Sequence, residues 1–369
     1  MWDLILSAVW LLFLAGWFAA YAYVRQPKQG TLEWIRMYDR PPFTCLGDRG
    51  KLEKQDIWWL LGCVAVSAGA CLGLTARTAP LMQLGTLQTL ILVMPVLGAA
   101  GVYLLYRLLK GQPLLGALCA LAVVIPPLDP AAGPVMLAAA CFYGWMSADA
   151  DAPFWKHALW LLPFWLCMMV AAALSAPALW LLPFYGLLWL FTVIQRWRKG
   201  YGWGRILLNG MLCLLLLAVT LTGCLAFRWM QTAALPLGAM AAAVADGSLM
   251  TGLREMLAGL PAQLLRQPDW ATVQALAPQA ISLLAGVFAF VALLLHAFRG
   301  RSVGAAYLTL LTLGTATVYA LGHSLILPVV CLADTAYVAT LVWERKRKLL
   351  AVLLPALLLA LHIGNYLLR

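Results

Sequence analysis

Long apolar runs, broken by short polar connections, cover the chain from end to end. Twelve such runs stand out, over 2–24, 57–76, 85–106, 114–128, 134–148, 157–175, 178–195, 206–227, 280–298, 303–321, 324–343 and 349–367. Most are close to the ~20 residues a helix needs to cross the hydrocarbon core of a bilayer. The pattern therefore predicts an all-α, polytopic transmembrane bundle of about twelve spans. The runs 114–128 and 134–148 are short, and fit either two crossings or one re-entrant hairpin.

One long stretch on the outer side breaks the alternation. Within 228–279, Leu249, Leu253, Met256, Leu257, Leu260 and Leu264 recur at helical spacing, with Arg254, Glu255, Gln263 and Arg266 mostly on the other side. This predicts an amphipathic helix lying along the outer interface, with Pro261 as a point of bending. A second local feature is a repeat: the seven residues Ala158–Phe164 recur as Ala178–Phe184, one membrane pass later. No matching symmetry appears at larger scale, so the repeat reads as drift in a Leu/Trp-rich chain and not as the two halves of an inverted-repeat transporter.

Composition sharpens the class. The 369 residues are 64% apolar and 11% charged, with a mean hydropathy of +0.88. A soluble domain is about half apolar and about a quarter charged. A soluble enzyme, a disordered chain and a disulfide-rich secreted module are all excluded.

The net charge of +11 would suggest nucleic acid in a soluble protein. Here the placement of the bases explains it better. With the N-terminus outside, the inner connections hold twenty of the 25 Lys and Arg residues, clustered at 25–54, 107–110, 156, 196–205, 299–301 and 345–348. Only Arg77, Arg228, Arg254, Arg266 and Arg369 are outside. The opposite orientation would reverse that ratio, against the positive-inside rule. We expect a multi-pass protein of the bacterial inner membrane, with membrane lipids as partners and no nucleic acid.

Residues 1–24 carry Asp3 and no base ahead of the apolar run, the wrong polarity for a secretory signal despite Ala20-Tyr21-Ala22. They read as an N-terminal anchor helix. The remaining organisation is a basic cytoplasmic linker (25–56), a membrane core (57–227), the extracytoplasmic segment with the amphipathic helix (228–279) and C-terminal helices (280–369).

Candidate chemistry is sparse. Nine cysteines include no CxxC pair, and none falls in an outer connection, so neither a disulfide framework nor a zinc site is expected. His296, His323 and His362 are scattered without ligand spacing. There is no nucleotide-binding loop, Ser-His-Asp pattern or redox motif, and no cofactor or metal is implied. Asp334 lies near the middle of its span and Asn209 one turn into another. An intramembrane carboxyl is costly, which makes Asp334 a functional candidate; a hydrogen bond to a neighbouring helix would equally account for it. At the outer ends, Pro126-Pro127-Leu128-Asp129-Pro130 forms a tight turn with a carboxylate at the membrane boundary. Arg77, Arg228, Trp229, Arg254, Arg266, Asp269 and Trp270 share that side. Cations there suit a lipid phosphate, a carboxylate suits a base, and indoles suit a sugar face. An aromatic belt with snorkelling arginines uses the same residue types.

One resemblance follows from particular residues. Lys51-Leu-Glu-Lys-Gln-Asp56, the span ending Leu72-Gly73-Leu74-Thr75, and Thr78-Ala79-Pro80 resemble the start of bacterial GT-C membrane glycosyltransferases. The short helical hairpin with Leu128-Asp129-Pro130 is similar to that family's second outer loop. The resemblance covers about residues 51–230. It implies transfer of a sugar from a polyprenyl-phosphate carrier at the outer face. The family's usual base lies in the first outer loop, and here that loop, Ala76–Leu84, contains no acid. The carboxylate carried over is Asp129, as base or in positioning the acceptor. Arg77, Arg228 and Arg254 would hold phosphate, with Trp229 and Trp270 near the sugar. Two other readings stay open: a carrier or flippase whose working residue is Asp334, and a membrane assembly protein without chemistry.

Overall fold

The computed structural model describes residues 52–78, 86–109, 111–123, 129–148, 154–198, scattered positions between 211 and 226, 245–264, 280–299, 303–322, 326–344 and 346–367. Every regular element among the described residues is helical. In chain order they are α1 (Lys54–Thr78), α2 (Thr86–Leu108), α3 (Pro113–Ala122), α4 (Ala132–Met146), α5 (Phe154–Leu174), a 3-10 turn η1 (Ala176–Trp180), α6 (Leu181–Arg198), α7 (Ser248–Leu264), α8 (Ala280–Arg299), α9 (Val303–Gly322), α10 (Leu327–Glu344) and α11 (Lys348–Leu367). Four stretches among the described residues are long and apolar enough to cross a membrane: Lys54–Gly73, Trp155–Leu174, Gly304–Leu321 and Leu327–Glu344. Further apolar helices, α3 and α4 among them, are shorter. The chain is a helical membrane protein.

Burial separates central from peripheral helices. Of the candidate span in α9, 83% is buried within the protein, against 22% of the one in α1. The outward side of α1 presents Ile57, Trp58, Leu61, Val66 and Leu72, a surface suited to lipid and not to water. At the centre stands α4, buried at every residue but Leu137. It packs most closely on α2, through small residues. A β-carbon at Gly133 would overlap the Met94 carbonyl oxygen, and one at Gly101 would lie 2.6 Å from the Met136 carbonyl carbon. Such glycines let two backbones approach, which is how helices gain packing energy where burial from water is not the driving force. On another side of α4, Phe142 joins Phe164 of α5 and Tyr185 of α6, with ring centroids 4.8–5.0 Å apart.

Antiparallel neighbours give the bundle two ends. The start of α1 meets the end of α2 through Asp56 and Arg107. The end of α2 meets α9 and α10, with Gly304 against Leu109 and Tyr106 bonded to Thr340. Lys54, Arg107, Lys346, Arg347 and Lys348 lie at this end. It is the basic end. The start of α4, the end of α5 and η1 lie at the other.

The repeated heptapeptide takes two conformations. Ala158–Phe164 runs inside α5, with Pro163 in mid-helix. Ala178–Phe184 begins as 3-10 turn and becomes α-helix only at Leu181. Pro177 opens the turn, and Pro183 then falls in the first turn of α6, where no helical N–H is lost. Context decides between the two, and the predicted start of that span at 178 resolves into turn plus helix.

The amphipathic helix expected over 249–264 is α7. It packs on η1 and on α9. Asp246 accepts hydrogen bonds from the Ser248 N–H and hydroxyl at its start, and Gly247 turns the chain with φ +76°. Gly252 is buried, Leu249, Leu253 and Met256 are half-buried, and Arg254 and Glu255 are exposed. The buried stripe is narrower than the leucine pattern suggests, because Leu257 is 56% and Met250 71% exposed.

Candidate functional site

Asp129 sits at the N-terminus of α4, at the end opposite the basic one. Its Oδ1 accepts the Ala131 N–H at 2.9 Å and its carbonyl accepts the Ala132 N–H at 2.8 Å. A short acidic side chain after two prolines suits this role, since it takes up one of the N–H groups a helix start leaves over. The residue is half-buried, so its carboxylate both closes this turn and is presented at that end. Arg77 lies in the last turn of α1, at the same end by chain direction; its side chain is outside the described residues. Arg254 is exposed on α7. Arg228, Trp229 and Trp270 lie outside the described residues, as do Asn209, His323, the expected anchor helix 1–24 and most of the basic linker.

Asp334 is fully buried in α10. It is the eighth residue of the helix, ~10 Å of rise from its start. Its Oδ2 lies 2.6 Å from the Thr312 hydroxyl of α9. Its Oδ1 has no hydrogen-bond partner among the described residues. The surroundings are a threonine seam. Thr309, Thr312 and Thr315 are buried on α9, and each hydroxyl reaches the carbonyl four residues back. On α10 the Thr335 hydroxyl does the same to Cys331. One turn before Asp334, Cys331 packs against Gly286 of α8.

Sequence reasoning passed over two polar clusters. The first is at the basic end. Asp56, 4% exposed, accepts from Arg107 Nε at 2.6 Å, Arg107 Nη2 at 2.9 Å, Tyr103 Oη at 3.2 Å and the Glu53 N–H at 2.8 Å. Arg107 also donates to the Gly111 carbonyl. The Asp56–Glu53 bond is the backward half of a capping box at the start of α1, and the three-residue spacing was its visible signal. The network continues through Tyr106, which accepts the Gln112 N–H and bonds to Thr340. It ties α1, α2, α3 and α10 together. All four acceptor contacts of Asp56 are made within the protein, so the cluster has the character of a strut.

The second cluster is Ser282 of α8 with His362 of α11, 2.6 Å apart and both buried. His362 was visible as a lone histidine, but its partner is 80 residues away. No periodicity announces such a pair. His296 packs its ring toward Tyr337, with centroids 6.3 Å apart. Among the described residues no group of His, Cys, Asp and Glu suits a metal ion.

A cleft of about 500 Å³ opens between α1 and α3, lined by Trp58, Trp59, Gly62, Cys63, Ala117 and Leu121. Its walls are almost wholly apolar and it faces the side expected to meet lipid. It contains neither Asp129 nor Asp334. Compared with known protein families, curated proteins and solved structures, the chain matches none.

Proposed function

We propose that the chain is a GT-C-like membrane protein that handles a polyprenyl-phosphate-linked sugar at the outer face of the bacterial inner membrane. In this reading about twelve helices cross the bilayer, the N-terminus is outside, and the basic end faces the cytoplasm. The observation that carries it is Asp129, a half-buried carboxylate just before the start of α4, on the end away from the bases. The interfacial helix α7 packs on η1, which follows α5 at that same end, and brings the exposed Arg254 with it. Asp129 takes the proton of the acceptor or positions it. Arg77, Arg228 and Arg254 hold the carrier's phosphate, and Trp229 and Trp270 meet the sugar. The test is native mass spectrometry of the purified chain with a short-chain polyprenyl-phosphate hexose, followed by transfer assays. Stoichiometric binding weakened by Arg254→Ala, and transfer lost in Asp129→Asn, are the expected results. Transfer undiminished in Asp129→Asn removes the assignment of the base.

A second reading, a carrier working through Asp334, is favoured by the unpartnered Oδ1 of that residue. Its test is flux in sealed vesicles. A proton-dependent flux indifferent to Asp334→Asn would sink it.

A further inference from the structure

We infer that Asp334 and Thr312 form an intramembrane proton-binding site, in which Asp334 is a neutral carboxylic acid that exchanges its proton with the medium. The Thr312 hydroxyl lies 2.9 Å from the Leu308 carbonyl and 2.6 Å from Asp334 Oδ2. A hydroxyl has one hydrogen to give. A backbone carbonyl can only accept. If Thr312 donates to Leu308, as Thr309 and Thr315 donate to their own carbonyls one turn back, then the 2.6 Å contact must be donated by Asp334. The acid proton is on Oδ2, and Oδ1 is left as a carbonyl-type oxygen.

The alternative arrangement makes Asp334 an anion with a single hydrogen bond. Its Oδ1 would then carry charge in a fully buried place with no donor among the described residues. An unpaired buried charge is far more costly than an unpaired neutral oxygen. Among the described residues the surroundings supply no counter-charge. From α9 the facing group is Thr312. From α8, Gly286 meets Cys331 and His296 turns toward Tyr337. From α11, His362 is bonded to Ser282 about two turns nearer the start of α10. From α2, Tyr106 is bonded to Thr340, and the Arg107 guanidinium to Asp56. From α3, Cys119 is a thiol buried in the core, and from α4 the titratable groups are Cys141 and Tyr143; none of these adds positive charge. On α10 itself the titratable neighbours are Cys331 and Tyr337, neither of which adds positive charge. The described ion pair of the bundle is the one at Asp56, not here.

The inference deepens the carrier reading and rests on that reading only for the use made of the proton. The test is infrared spectroscopy of the full chain reconstituted in lipid vesicles. At neutral pH the solvated carboxyls are carboxylates, so an acid C=O band marks a buried neutral acid. The expected spectrum has one such band attributable to Asp334, absent from Asp334→Asn, displaced in Thr312→Val and shifted on transfer to heavy water. Identical wild-type and Asp334→Asn spectra in the acid region overturn the proposal. So does a band that never shifts in heavy water, since that acid exchanges nothing. Thr312→Val keeps the test alive if Asp334→Asn fails to fold. An exchanging band without any flux retains the site and removes the carrier.

Discussion

Asp56 and Asp334 are both hidden inside the bundle, and their surroundings could hardly differ more. Asp56 is clasped by four donors, two of them from one guanidinium, and they come from α2 and from the residue just before α1. Asp334 has one hydroxyl against one oxygen and nothing against the other among the described residues. Burial alone says only that a carboxyl was costly to put there. The complement of partners says what the cost is for. A fully partnered carboxylate holds helices together. A carboxyl with a vacant oxygen is tolerable only in its neutral form, and a neutral acid has a proton to give.

The comparison is easiest to break at its stronger member. Arg107→Ala leaves the Asp56 carboxylate buried without its cation, and we expect a loss of about 3 kcal/mol in stability. This would be read as an earlier thermal transition of the detergent-solubilised protein. Asp56→Asn in the same background should recover part of the loss, because the orphaned charge is gone. If Arg107→Ala melts like the wild type, the strut interpretation fails.

Next in size is the glycine contact between α2 and α4. Gly133→Leu forces a side chain into the Met94 carbonyl and should cost about 1–3 kcal/mol or more through overpacking. The same substitution at Gly62, where a β-carbon meets nothing within 4 Å, is expected to be silent in the same melt. Asp129→Ala removes the bond to the Ala131 N–H in the turn before α4 and should cost about 1 kcal/mol. An effect on stability alone would mean that its role is only to hold this turn. The other member of the comparison predicts the smaller effect. Asp334→Asn removes a proton site but no ion pair, and its stability should stay within about 1 kcal/mol of wild type. A collapse of the fold on this change would make Asp334 a second strut.

The smallest effect is outside the bundle. The Ser248 hydroxyl and N–H hold the Asp246 carboxyl below its ordinary value of 3.8. A depressed folded value means the cap's contribution is present above the unfolded value and lost as pH falls through the folded one. Amide exchange at the start of α7 should therefore quicken only below about pH 3.8, and Asp246→Asn should abolish that acid-dependent step.

Much of the helical framework was legible because apolar windows of one bilayer thickness are a strong signal. The span read as 280–298 is α8 at Ala280–Arg299, and that read as 349–367 is α11 at Lys348–Leu367. The 3-10 start at Ala176 was not legible, since the heptapeptide is the same one that runs as pure α-helix in α5. Pairings between helices were equally hidden. Asp334 was singled out by its position in a span, but Thr312 was not, although Thr309, Thr312 and Thr315 form a stripe at three-residue spacing. Spacing gives the face of a helix and not the neighbour it will meet. Arg107 looked like a topology-setting charge and Asp56 like part of a charged inner stretch, because a charge that orients a chain and a charge that braces it have the same letters. Asp129 was legible as an acid at the end of a span; its bond to the Ala131 N–H needed the start of α4 to be placed.

The nearly complete burial of α4 bears on how the chain is made. Its fifteen residues rise only ~22 Å, short of a hydrocarbon core of about 30 Å. Its surface is small residues and aromatic rings already committed to neighbours. Such a segment is apolar but too short to cross on its own when it leaves the ribosome. Its stable residence in the bilayer waits on α2, synthesised before it, and on α5 and α6, synthesised after. Insertion of this protein is therefore a matter of timing as well as hydropathy. Truncation after Met146 should leave α4 exposed to quality-control proteases, while truncation after Arg198 should leave it sheltered.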